Sequence, residues 1–226
     1  MAIRGVLIDF SGTLFRLEYG VGIADGLDMD GEEQARVFRI LTSPVGPSTA
    51  LPPDLQRDWA RRDLDSDLHR RINVAALRHS GVTSTELAEA FYDRLIDPAN
   101  WRPYPDTLDA LKLLRTNGIP VSVVSNIAWD IRSVFRRYEA EEYVDEFVLS
   151  YVEGVIKPQP EIFAVACERI GVEPAEALMI GDSAEADGGA AALGVAVRIV
   201  DPLPVDERPH ALLDALHAYG VGSRVK

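Results

Sequence analysis

Three features of the 226-residue sequence predict an α/β fold built on a parallel sheet, with a helical insertion after the first strand. Short apolar runs typical of strands buried on both faces occur at Val6-Leu7-Ile8, at Val121 to Ser125 and at Ala177 to Gly181. From Asp106 onward such strands alternate with helical patterns, the order that yields a parallel sheet covered on both faces. Between Phe15 and Trp101 buried-strand patterns are missing and helical spacing takes over.

The first strand stops at Asp9, where Ser11-Gly12 breaks the extended path. A carboxylate at the carboxyl end of a central parallel strand stands where open α/β sheets hold their ligands, although Asp9 alone reads equally well as a turn cap. In the insertion, a helix is expected from Asp30 to Leu41, with Phe38 and Leu41 on one face, before a turn-rich loop from Thr42 to Thr49. Leu55, Trp59, Leu64, Leu68 and Ile72 keep helical spacing up to a stop at Gly81. Thr83-Ser-Thr-Glu86 reads as a capping box ahead of Leu87, Phe91 and Leu95. Pro98 and Pro103-Tyr-Pro105 mark the return to the sheet.

There, Asp106 caps a helix carrying Leu108, Leu111 and Leu114 and ending at Gly118. The pattern continues with a strand Ile119–Ser125, a helix from Ile127 to Tyr138 and a short strand Phe147–Ser150. Pro158 is placed to open a helix running to Ile170. Strand Ala177–Gly181, helix Ala184–Leu193, strand Val195–Val200 and a closing helix Arg208–Tyr219 complete the chain.

Hydrophobic and charged fractions of 47% and 26% are ordinary for a globular protein and allow a sizeable core. A formal net charge of −13 argues against nucleic acid or an acidic membrane surface as a partner. It also requires local cations to capture any anionic substrate. The single cysteine, Cys167, cannot form an intrachain disulfide, and its amphipathic helical context marks a buried structural thiol. No apolar run is long enough to span a membrane, and the three residues before Asp9 are too few for a signal-peptide core. The expectation is a cytoplasmic protein, monomeric or homodimeric, acting on a small molecule.

Four stretches in order carry the chemistry: Asp9, then Ser125-Asn126, then Lys157-Pro158, then Gly181-Asp182 with Asp187 five residues on. Set on successive strand ends, they resemble the haloacid dehalogenase-like (HAD) hydrolase superfamily, in its helical-cap phosphatase and dehalogenase branch, from Ile3 to about Asp201. The resemblance implies a Rossmann-like core of residues 1–14 and 102–226 and a helical cap of residues 15–101. It implies a magnesium-dependent hydrolase, most simply a phosphatase for a small phosphorylated metabolite. Asp9 would be the nucleophile that becomes an aspartyl-phosphate. Gly12, Ser125 and the amides near Asn126 would bind phosphate, and Lys157 would neutralise it and restrain Asp9. Magnesium would be held by Asp9, the backbone carbonyl of Ser11, Asp182 and Asp187, the last directly or through water. Ser125 and Asp182 also suit plain helix capping.

Three departures stand out. Position 11 of the phosphatase branch is a second Asp that protonates the leaving group and later activates water; here it is Ser11, so a factor of about 10²–10⁴ in rate must be forgone or supplied by the substrate or the cap. Position 186, often Asn, is Ala186, and the cap carries no known specificity signature. Dehalogenase-like displacement at carbon, which needs no protonated leaving group, and a weakly catalytic phosphate-binding or regulatory module are the alternatives. Arg57, Trp59, Arg61 and Tyr19 are candidates to reach a leaving group, although Arg57 and Arg61 share a face with Asp54 and Asp58 as a solvated surface would. His69, His79, His210 and His217 lie outside the motifs and are expected at the surface.

Overall fold

The computed structural model describes residues 2–18, 30–32, 35, 37 and 51–222. Five strands form one parallel sheet in the order β5-β4-β1-β6-β7: β1 (Gly5–Ile8), β4 (Val121–Ser125), β5 (Glu146–Leu149), β6 (Ala177–Gly181) and β7 (Ala196–Ile199). The chain leaves β1 to build β4 and β5 on one side, then returns to build β6 and β7 on the other. That reversal at β1 opens a crevice at the carboxyl ends of the three central strands. Asp9, Ser125 and Gly181-Asp182 all lie there.

Alternation along β1 divides the core. Val6 and Ile8 face the larger apolar cluster, which holds Phe10, Phe15 and Phe135, whereas Leu7 joins Val124, Val148 and Met179 beneath helix Pro160–Arg169. Cys167 is buried in that helix, where burial lifts its thiol to about 11, as fits a structural side chain. Among the described residues no helix is long and apolar enough to cross a membrane.

The crossings between the sheet and the helical insertion are joined to each other. β2 (Phe15–Leu17) and β3 (Trp101–Pro103) pair antiparallel as a two-stranded ribbon, Leu17 opposite Trp101. Beyond the ribbon the helices Pro53–Trp59, Ser66–His79 and Thr85–Ile96 make up the helical cap. The helix expected at 30–41 and the loop at 42–49 fall largely or wholly outside the described residues. The periodicity from Leu55 to Ile72 is broken into two helices and a 3-10 turn at Arg62–Leu64, because Asp65 turns to an extended backbone and its carboxylate accepts from Leu68 N–H at 2.7 Å. Ser84, one residue after the expected Thr83, caps the following helix by accepting from Leu87 N–H.

Other boundaries move for local reasons. Pro160 rather than Pro158 takes the first helical position, and the segment from Ile127 becomes helical only over Arg132–Arg137. Asp187–Leu193 winds as a 3-10 helix instead of an α-helix from Ala184, and the closing helix is Ala211–Ala218. Asp106 precedes helix Thr107–Thr116, but its carboxylate serves a different helix. Its Oδ2 accepts from Leu212 and Leu213 N–H at 2.8 and 3.1 Å, satisfying the open amides of the closing helix 106 residues away. Replacing Asp106 with Ala should lower stability by about 1–2 kcal/mol, the scale of a lost helix cap. Urea unfolding would register this as a lower midpoint at constant slope; an unmoved midpoint would contradict the role.

Candidate active site

The centre of the crevice is a buried lysine. Lys157 Nζ donates to Asp9 Oδ1 at 2.7 Å and to Asp187 Oδ1 at 2.6 Å, with all three side chains at most 8% exposed. Burial lifts Asp9 to about 7 despite the opposing pull of Lys157, and Asp187 and Asp182 add to the rise. Burial works against the Lys157 ammonium, yet the charges of Asp187 and Asp9 outweigh it and raise its pKa. Asp182, half-buried beside them, is raised by burial and then by Asp187. Oxygen atoms of Asp9, Asp182 and Asp187 lie within 4.8 Å of one another.

The sequence places these groups by short, specific devices. Gly12 has φ +75°, and a Cβ there would stand 2.3 Å from Asp182 Oδ2, so the turn after Asp9 both needs glycine and makes room for a carboxylate. Gly181 makes the same allowance for Asp187, whose Cγ lies 2.1 Å from the site of a Cβ. Asp187 is fixed from both sides: its Oδ2 accepts from Ser183 N–H at 2.9 Å while Oδ1 holds Lys157. The backbone amide of Ala186 donates to Ser183 Oγ, closing the same turn. Asn126 clamps the lysine backbone, accepting from Lys157 N–H at 2.7 Å and donating to its carbonyl at 2.9 Å. Its side-chain amide is thus spent on positioning Lys157.

A cavity of about 480 Å³ opens above this floor. Asp9, Ser11, Ser125, Lys157, Asp182 and Asp187 line its base, and Gly12 stands beside Ser11 in an adjoining pocket. Its roof belongs to the helical cap: Gln56, Trp59, Arg62, Asp63, His69 and Asn73. All three tryptophans of the chain (Trp59, Trp101 and Trp129) face it. Among the described residues, hydrogen bonds tie the roof to the floor where Ser66 Oγ donates to the Ala128 carbonyl and Ser150 Oγ to the Asp63 carbonyl.

One expectation about the roof is corrected. His69 is buried, not at the surface: its Nδ1 bonds Tyr92 Oη at 2.8 Å, and burial, assisted by Arg62, depresses its pKa to about 3. His79, His210 and His217 are exposed, as expected. Arg57 and Arg61 are exposed and do not line the cavity, whereas Trp59 does; Tyr19 lies outside the described residues. Instead Arg62 enters the cavity, its guanidinium 4.4 Å above the Trp59 ring. A difference of one residue decides between Arg61 and Arg62, and the 3-10 turn at Arg62–Leu64 that sets it leaves no apolar signal. Arg208 was also missed. It is buried against the Tyr104 ring and donates to the Gly12 carbonyl at 2.7 Å and to the Thr13 carbonyl, holding the turn after Asp9 from behind.

Comparison with known proteins agrees with this geometry. Residues 3–194 match the family model for haloacid dehalogenase-like hydrolases. The glyceraldehyde 3-phosphate phosphatase of Methanopyrus kandleri is 34% identical, over 95% of this chain and 97% of its own. The haloacid dehalogenase-like hydrolase domain-containing protein 3 of Bos taurus is 27% identical, over 91% and 85%. Among solved structures, a HAD-hydrolase of Bacillus subtilis crystallised with magnesium superposes with a TM-score of 0.69 at 18% identity, covering 98% of this chain and all of that one. The L-2-haloacid dehalogenase of Xanthobacter autotrophicus gives 0.66 at 23%, covering 94% and 83%. These two establish the shared fold.

A methyl group at position 12 should show how finely the floor is fitted. Gly12→Ala would incur about 1–2 kcal/mol for the left-handed backbone and displace the Asp182 carboxylate as well. A melting temperature lowered by several degrees in calorimetry is the expected result, and an unchanged one would refute the fit.

Proposed function

The chain belongs to the haloacid dehalogenase-like hydrolases, and we propose that it is a magnesium-dependent phosphatase that hydrolyses a small phosphorylated metabolite through an aspartyl-phosphate on Asp9. The observation carrying this reading is the Lys157 ammonium bound at once to Asp9 and Asp187 at the mouth of the central strands, next to Asp182 and Ser125. Phosphoryl transfer asks mainly for an in-line nucleophile and neutralisation of charge, and this floor offers both. The named phosphatase among the relatives supports the same reaction class.

The donor set suits magnesium. Three carboxylates facing one ammonium leave an excess of two negative charges, which a divalent cation cancels, and all donors are the hard oxygens that magnesium prefers. Asp9, Asp182 and the backbone carbonyl of Ser11 would hold it. Both Asp187 oxygens already have partners, so Asp187 serves chiefly to aim Lys157 and to orient bound water. Bound there, the ion would relieve the repulsion between the substrate phosphate and Asp9.

In the first half-reaction an Asp9 oxygen attacks phosphorus while Lys157 and Ser125 hold the phosphoryl oxygens. In the second, water releases phosphate from Asp9. Residues 15–101 act as the cap that covers the cavity and faces the leaving alcohol. The three-carboxylate floor favours this reading over displacement at carbon, which needs no metal.

Asp9→Asn should leave the melting temperature within a few degrees and remove turnover. A panel of phosphorylated metabolites assayed with and without magnesium is the measurement. Turnover that survives in the variant would remove Asp9 from its role, and magnesium-independent turnover of a 2-haloacid by the unmodified protein would favour the dehalogenase reading. Asp182→Ala should weaken magnesium binding more than Asp187→Asn, because only Asp182 has oxygen free to coordinate. Isothermal titration with magnesium ranks the two, and an equal or reversed order would count against the assignment.

A further inference from the structure

Serine at position 11 cannot exchange a proton with the leaving oxygen near neutral pH. Asp9 attacks, Asp187 is fully paired and Asp182 faces the metal position. Among the described residues, two carboxylates that the reaction so far leaves idle line the cavity: Glu185, exposed at the edge of the floor, and Asp63, enclosed in the roof. We propose that Asp63, reaching down from the cap, is the general acid and base of this enzyme, with His69 and Tyr92 as positioning residues behind it. The inference rests on the phosphatase reading.

Four observations place Asp63 for the task. Asp63 lines the same cavity as Asp9, and its side chain is only 14% exposed. Its backbone carbonyl accepts from Ser150 Oγ, the same hydroxyl that accepts from Ile127 N–H, two residues past Ser125. Asp63 is therefore tied to the strand end that receives the phosphoryl group. Its carboxyl also lies within the electrostatic reach of Lys157, which bonds the nucleophile.

Finally, the chain Asp63–His69–Tyr92 accommodates either protonation state. His69 Nε2 faces Asp63 Oδ1 at 3.6 Å and Nδ1 bonds Tyr92 Oη at 2.8 Å. A ring that is neutral has one donor and one acceptor nitrogen. With Nδ1 accepting from Tyr92, Nε2–H faces a carboxylate; with Nδ1–H donating to Tyr92, Nε2 faces a carboxylic acid. The charged groups facing Asp63 are Arg62, at 3.4 Å, and Lys157, and both hold its pKa down while burial, the larger effect, raises it. A substrate dianion entering between Lys157 and Asp63 would raise it further.

The steps balance. As the bond from Asp9 to phosphorus forms and the bond from phosphorus to the alcohol oxygen breaks, that oxygen takes the Asp63 proton. Asp63, now a carboxylate, then accepts a proton from the water that attacks the aspartyl-phosphate. Asp9 leaves as a carboxylate, phosphate is released and Asp63 is again protonated.

The test compares 4-nitrophenyl phosphate, whose leaving group needs little protonation, with phenyl phosphate, whose leaving group needs more. For Asp63→Asn, kcat/KM should fall by roughly 10²-fold on phenyl phosphate and by at least about tenfold less on 4-nitrophenyl phosphate, within the range of lost acid catalysis. Loss of the base should also make Asp9 dephosphorylate slowly, so rapid mixing should reveal a burst of nitrophenol. His69→Gln should shift the same ratio in the same direction by a smaller factor. Ser11→Asp should raise phenyl phosphate activity by a larger factor in the Asp63→Asn background than in the unmodified protein, whereas a merely structural Asp63 would give equal factors in both. Equal losses on both esters, with no burst and equal Ser11→Asp factors, would overturn the proposal and leave the phosphatase reading intact. An unmodified protein that hydrolyses neither ester with magnesium present would overturn both.

Discussion

One buried ammonium holds this active site together. Lys157 joins Asp9, 148 residues before it, to Asp187, 30 residues after it, and each partner brings its strand end or turn into register with the others. Stripping water from such charges costs several kcal/mol per ion, and the arrangement persists because each charge has hydrogen-bonded partners. Loss of the lysine alone would leave two carboxylates facing each other out of reach of solvent, a defect of about 3–5 kcal/mol. Much of the neighbouring sequence exists to permit this contact: Gly181 makes room for Asp187, Asn126 fixes the backbone of Lys157 and Ser183 holds the far oxygen of Asp187.

The same constraint explains the electrostatic character of the cavity. A protein of net charge −13 repels phosphate at a distance, so attraction must be created locally. With its one lysine engaged by two carboxylates, the floor remains negative. Under the proposed function a divalent cation would offset that charge, so metal dependence would follow from the charge count of the floor.

Much of this could be read from the sequence, for identifiable reasons. Strands buried on both faces leave continuous apolar runs, so Ala177–Gly181 agrees residue for residue and Val121–Ser125 shares its end with the expected strand. Asp9, Ser125 and Asp182 stand at the ends of those runs, and their order was legible with them. Helix starts were less so, since Pro158 and Pro160 are equally good first residues by composition, and so are Thr83 and Ser84 as caps. Asp106 shows the deeper limit: its position before a helix is local, but the amides that it satisfies belong to Leu212 and Leu213, which only folding brings near. The roof was hardest to read. His69 and Arg208 become buried through partners in other elements, and no spacing in the sequence records such encounters.

The ribbon between sheet and cap has a further consequence. Because β2 and β3 are hydrogen-bonded to each other, and Tyr138 Oη donates to the Trp101 carbonyl at 2.7 Å, the two roots of the cap cannot separate. Among the described residues, the opposite rim is fastened by hydrogen bonds from the Ser66 and Ser150 hydroxyls, each a contact worth about 0.5–1.5 kcal/mol. The cap is therefore hinged on one side and lightly latched on the other. In the proposed reaction, opening at that rim between the two halves of a turnover would let the alcohol depart and water enter while the phosphoryl group stays behind on Asp9.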